Sequence, residues 1–169
     1  ESMKEFYDFG RWKTKDHIAS IGCGYGWWEV GLCLHYPAQN LALVDPVVQQ
    51  EDIQDSIDYF TEKTGLIWNT EVELNPEKLL HKDQIWVFNA WHELEDRAAM
   101  LAKIKSALKE GGIIIIEEEI SKVERLQHEG CGKDLFFEPE IIDEFEQAGL
   151  KYIETKTKDE VAIYLKFRK

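Results

Sequence analysis

Short apolar runs alternate along the chain with stretches in which apolar positions recur every three or four residues. That alternation predicts strands and helices layered about a parallel sheet. Residues 17–22 form the first buried strand, broken by Gly22-Cys23-Gly24-Tyr25-Gly26, and residues 27–36 form an apolar helix that ends before Pro37. Residues 41–44 are the second strand, closed by Asp45-Pro46. Residues 51–63 are an amphipathic helix with Ile53, Ile57 and Phe60 on one face, stopped by Gly65. Residues 71–74 alternate charged and apolar side chains, as an edge strand does to discourage further pairing. Residues 84–89 are the next core strand, and residues 96–109 a helix with Leu101, Ile104 and Leu108 inward, ended by Gly111-Gly112. Four isoleucines at 113–116 predict a central parallel strand buried on both faces. A helix over 139–148 opens on proline. Strands over 151–157 and 161–167, joined by a tight turn, close the chain as an antiparallel hairpin.

The expected architecture is therefore α/β: a doubly wound three-layer sandwich around a seven-stranded, mostly parallel sheet. At 169 residues the chain is expected to be a single domain. Two segments lack clean periodicity. The N-terminal residues 1–15 carry Phe6, Tyr7, Phe9 and Trp12, which either pack onto the domain or form a lid. Residues 120–138 are a candidate substrate loop.

Charge narrows the partners. Lys and Arg number 20 against 33 Asp and Glu, a net −13. Such a surface repels phosphate backbones and anionic lipid, so neither nucleic acid nor membrane is an expected partner. No apolar run approaches the ~20 residues of a membrane span. Three cysteines, an odd number with no CxxC, argue against a disulfide framework and fit a reducing, cytoplasmic location.

Candidate chemistry begins at the glycines. A strand, then Gly22, Gly24 and Gly26, then a helix brings bare backbone amides to a helix N-terminus, where a ligand can approach the main chain. The spacing is GxGxG. The dinucleotide fingerprint GxGxxG would need glycine at 27, where this chain has Trp27, and no GxxxxGK[ST] is present. Asp45 stands 21 residues after Gly24, at the end of the second strand, where a carboxylate can accept both hydroxyls of an adenosine ribose.

The segment Ile18-Ala19-Ser20-Ile21-Gly22-Cys23-Gly24-Tyr25-Gly26 resembles the first motif of the Rossmann-like S-adenosylmethionine (SAM)-dependent methyltransferases. Residues 41–45 are similar to that family's second strand with its ribose-binding acid. Residues 87–94 resemble the end of its fourth strand, and Leu108-Lys109-Glu110-Gly111-Gly112 its "LKPGG" and fifth strand. The likeness runs from about residue 17 to the C-terminus and is greatest to the small type 11 group. It implies SAM as cofactor. Gly22, Gly24 and Gly26 would shape the methionine side, with Ser20 and Cys23 in the same segment. Asp45, beside Pro46, would hold the ribose, Asn75 would face the adenine, and Asn89 would lie by the methionine moiety. Ser20 is a departure, because the family usually has an acid there that helps orient the cofactor's ammonium group.

His92 and Glu93 follow the fourth strand at its carboxyl end and are the candidate catalytic residues; for His92, acceptor contact or base and a turn-capping role are both open. His128 and Cys131 are spaced as two ligands from one loop could be, but one pair is poor evidence and no metal is expected. The resulting expectation is methyl transfer from SAM to a small-molecule acceptor. The alternative is a non-catalytic SAM-binding protein, a sensor or partner subunit. Oligomeric state is not legible.

Overall fold

A computed structural model describes residues 2–74 and 79–169. Five helices are present among them: α1 (Ser2–Gly10), α2 (Trp27–His35), α3 (Gln50–Thr64), α4 (Arg97–Ala107) and α5 (Glu138–Gln147). Seven strands form one sheet: β1 (His17–Ile21), β2 (Asn40–Val44), β3 (Glu71–Glu73), β4 (Lys82–Phe88), β5 (Leu108–Glu119), β6 (Lys151–Thr157) and β7 (Ala162–Arg168). Their order is β3-β2-β1-β4-β5-β7-β6, with β7 antiparallel to both its neighbours and the other pairs parallel. This is the doubly wound sheet with a terminal hairpin that the sequence predicts, and β3 is its edge.

Side-chain alternation along the central strands explains the two helix layers. Ile85, Val87, Ile114 and Ile116 pack with α4 and α5 through Leu101, Ile104 and Phe145. Trp86 and Ile115, one step out of phase, pack with α1, α2 and α3 through Phe6, Leu32 and Ile53. Period-2 geometry sends successive side chains to opposite faces, so a strand covered on both sides must be apolar throughout. That is why four isoleucines stand in a row.

Helix ends follow local chemistry. In α3 the Asp52 side chain accepts from the Gln49 amide at 3.1 Å, and Gly65 closes the helix at φ 70°. Asp96 caps α4 by accepting from the Ala99 amide at 2.9 Å, and Glu140 accepts from the Phe137 amide at 2.8 Å where α5 begins.

Two elements depart most from the sequence expectation. The helix over 96–109 ends at Ala107, and the Gly-Gly segment belongs to β5. Gly111 sits at φ 75° and donates to the Lys169 carbonyl at 3.1 Å, while the Lys169 amide donates to Gly112 at 3.0 Å. The end of β7 supplies partners that hold this segment as a bulged strand. The second difference is α1, a helix where the sequence shows only an acidic, aromatic segment. Its Phe6 is fully buried against Trp86, Phe88 and Tyr164, with ring centroids 4.8–5.5 Å away, and Trp12 is buried beside it. In this structure the N-terminal aromatics pack against the sheet.

Phe6→Ala is expected to destabilise the fold by ~3–5 kcal/mol, the range for emptying a fully buried aromatic site. Denaturant unfolding measures this. A change under ~1 kcal/mol would show that α1 is not part of the cooperative core.

Candidate functional site

The strand order reverses between β1 and β4. In open α/β sheets that switch point, at the carboxyl ends of the strands, leaves a crevice that helices do not fill. A cavity of ≈ 570 Å³ occupies it here, lined by Ile21 and Gly22 at the end of β1, Asp45 and Pro46 after β2, and Ala90 and Glu93 after β4. The size is that of a small-molecule site.

Each glycine of the loop has its own reason. Gly22 is at φ 70° and its amide donates to the Val44 carbonyl at 2.8 Å; a Cβ there would stand 2.6 Å from that of Ala90. Gly26 begins α2 at φ 75°, and a Cβ would meet Ile53 at 2.6 Å. Gly24, at φ 56°, has open space around it. Its amide donates to Asp45 Oδ2 at 2.8 Å, while Asp45 Oδ1 accepts from the Val47 amide at 3.0 Å. Asp45 thus ties the loop after β1 to the end of β2. An ionised carboxylate has about four acceptor positions, so it retains capacity for a ligand's hydroxyls. Cys23 is half-buried in this loop, and burial pushes its thiol pKa up, away from the reactive range.

Ser20 lies fully buried behind the loop and donates to Glu29 Oε1 of α2 at 2.6 Å. The carboxylate that the sequence lacks at position 20 is present nine residues later, brought back by the first turn of α2. Burial pushes the Glu29 pKa up to about 7. This pairing has no local signature, since Glu29 is one polar residue in an apolar helix.

The fourth-strand motif splits. Glu93 lines the cavity. His92, in a short 3-10 turn (Trp91–Glu93), is buried and does not line it. Its Nδ1 is hydrogen-bonded to Glu118 of β5, and the other Glu118 oxygen accepts from the Trp91 amide at 3.0 Å. The Glu118 carboxylate pushes the His92 pKa up, and burial pushes that of Glu118 up. Asn89 adopts φ 46° and its Oδ1 accepts from the Glu119 amide at 3.3 Å, so it braces the ends of β4 and β5. Asn75 lies outside the described residues. Leu74, Leu94 and Met100 also line the cavity; as ordinary apolar residues they carried no signal in the sequence.

Solved structures share this topology. A SAM-dependent methyltransferase from Aquifex aeolicus matches with a TM-score of 0.73 at 18% identity, over 99% of this chain and 89% of its own. An S-adenosylmethionine-dependent methyltransferase from Mesorhizobium loti matches at 0.68 and 14%, over 100% and 98%. The fold is the Rossmann-like methyltransferase fold. The [4+2]-cyclase SpnF also has it, at 0.69 and 15% identity over 91% of this chain and 58% of that one. No family model and no curated protein matches the sequence. On this methyltransferase fold the cavity, the glycine loop and Asp45 stand together, and His92 is buried outside the cavity lining. No helix among the described residues is long and apolar enough to cross a membrane.

Glu29 gives a pH test of the buried pair. Its folded pKa lies above the unfolded value, so its contribution is full below about pH 4.5 and is lost as pH rises through about 7. Glu29→Gln keeps an acceptor for Ser20 without the charge. The variant is expected to gain over the wild type between those values, approaching ~3 kcal/mol at pH 8. Denaturant midpoints across pH 4–8 read this, and a pH-independent difference would show that Glu29 does not titrate with folding.

Proposed function

We propose that the chain binds SAM in the switch-point cavity and transfers its methyl group to a small-molecule acceptor. The observation that carries the reading is that Gly22 and Asp45 line the cavity together, with Asp45 bonded to the Gly24 amide at 2.8 Å. It sets an open glycine main chain beside a carboxylate, as a ligand with a ribose and a charged amino-acid end requires. The fit is supported by the cavity's size and by the open space at Gly24. Asp45 and Pro46 would hold the ribose. Ser20, Gly22, Cys23, Gly24 and Gly26 would shape the methionine end, with Asn89 at its margin and Asn75 at the adenine.

Bound SAM supplies a sulfonium-activated methyl carbon: the acceptor's lone pair forms the new bond as the carbon–sulfur bond breaks. The protein's task is to hold the acceptor in line and exclude water. A base is needed only where the acceptor must lose a proton. Glu93, on the cavity wall and half exposed, is placed to take one.

A second reading is a SAM-binding protein that does not transfer methyl groups. The burial of His92 favours it, because that imidazole does not line the cavity. The SpnF likeness adds that this fold accommodates other chemistry. Formation of S-adenosylhomocysteine and a methylated product separates the two.

S-adenosylhomocysteine at 100 times its Kd is expected to stabilise the fold by ~2.7 kcal/mol. Asp45→Ala is expected to weaken binding by ~1.5–3 kcal/mol per charged hydrogen bond lost. Titration calorimetry measures both. Heat-silent titrations of SAM and S-adenosylhomocysteine at millimolar concentration would overturn the assignment, and unchanged affinity in Asp45→Ala would remove the ribose role.

A further inference from the structure

The side of His92 turned away from Glu118 holds a second assembly. His92, Glu93, His128 and Cys131 each present a ligand atom within 4.8 Å of one another. The imidazoles of His92 and His128 lie with ring centroids 4.6 Å apart. Glu93 Oε1 is 3.9 Å from His92 Nε2. That nitrogen is the telling atom: the side chain is fully buried, and Nε2 has no hydrogen-bond partner. An unpaired buried nitrogen costs free energy comparable to a lost hydrogen bond, and native structures rarely leave one without a use.

The opposite nitrogen explains its state. Nδ1 donates to the buried Glu118 carboxylate. In the neutral ring a proton on Nδ1 leaves the Nε2 lone pair for the cluster. Carboxylate behind one imidazole nitrogen and metal in front of the other is the arrangement that orients histidine ligands and raises their basicity. The loop is likewise built to deliver its two residues. Ser121 Oγ donates to the Leu135 carbonyl at 2.9 Å and accepts from the Leu126 amide at 2.9 Å. The His128 amide donates to Lys133 at 2.8 Å, and Lys133 Nζ donates to the Glu93 carbonyl at 2.8 Å, tying the loop to the turn that carries His92. His128 itself faces two donors, Asn89 Nδ2 and the Cys131 amide, each at 3.3 Å. A neutral ring accepts at only one nitrogen, so at most one of these long contacts is a hydrogen bond and His128 is only weakly held by them.

We propose that His92 Nε2, His128, Cys131 and Glu93 bind a divalent metal ion of the zinc class. Two imidazoles, a thiolate and a carboxylate suit Zn²⁺, which takes nitrogen, sulfur and carboxylate oxygen in tetrahedral array; calcium and magnesium prefer all-oxygen sets. On binding, the Cys131 thiol gives its proton to solvent as sulfur takes the metal. Glu93 belongs to both the cluster and the cavity wall, so the ion stands at the cavity's rim. The site is argued from the side chains alone and does not depend on methyl transfer.

The test uses the full chain after chelator dialysis. Co²⁺ titration is expected to saturate at one equivalent with tetrahedral visible bands and a thiolate charge-transfer absorption. Cys131→Ser should abolish that absorption and His128→Ala should weaken binding; both residues sit on the loop outside the core. Glu118→Gln should weaken Zn²⁺ binding ~10–100-fold, as loss of a supporting carboxylate does. An octahedral aquo-like Co²⁺ spectrum, or a charge-transfer band that survives Cys131→Ser, overturns the proposal. S-adenosylhomocysteine calorimetry on the metal-depleted chain reports on the cofactor cavity separately, so failure of one reading is not mistaken for failure of the other.

Discussion

A sheet covered by helices on both faces has nowhere to put polar chemistry except its strand ends. Trp86 and the four isoleucines of β5 show how complete the coverage is, since Trp86 and Ile114 to Ile116 are fully buried. The loops that follow β1, β2 and β4 therefore hold the glycine segment, Asp45 and the Trp91–Glu93 turn, and Glu117 to Glu119 are the last residues of β5. The reversal of strand order between β1 and β4 opens a gap among those loops, and the cavity follows from it.

The same constraint decides how an acidic chain deals with its charge. Most of its carboxylates can face water at little cost, but three near this edge are buried, and each has a partner. Glu29 accepts from Ser20, Glu117 from Lys158 Nζ at 2.6 Å, and Glu118 from both His92 and the Trp91 amide. An unpartnered buried carboxylate would cost several kcal/mol, so these contacts are conditions for the fold as well as features of the site. They also set geometry. Glu118 holds the His92 ring through Nδ1, and Glu29 ties the first turn of α2 to β1 directly behind the glycine loop.

What was legible in the sequence is what repeats or sits next to itself. Periodicity located the central strands, and glycine spacing with Asp45 located the cavity wall, because each signal lies within one short segment. The start of β5 at Leu108 was hidden, since its Gly-Gly segment is held by Lys169, some sixty residues away in sequence. Helix α1 was hidden because its aromatics answer to Trp86 and Tyr164. The polar convergences were hidden for the same reason: nothing local to Glu29 marks it as the partner of Ser20, and nothing local to Glu118 separates it from the glutamates on either side. Three consecutive glutamates look alike until the strand sends Glu118 to one face and its neighbours to the other.

His92 shows how far such hidden contacts can change the meaning of a residue. As a histidine after the fourth strand it invites a role at the acceptor. In the folded chain its two nitrogens are committed to different neighbours: one to a buried carboxylate, the other toward a loop that reaches back from beyond β5. A general base must reach its substrate's proton, and His92 is buried and not among the residues that line the cavity. A ligand, by contrast, needs a fixed ring, a fixed tautomer and an unpaired nitrogen in a dry position, which are the properties His92 has. The residue left facing the cavity is Glu93, one step along the same turn. That turn therefore joins the two places: its imidazole stands in the side-chain cluster, and its carboxylate belongs to both the cluster and the cavity wall.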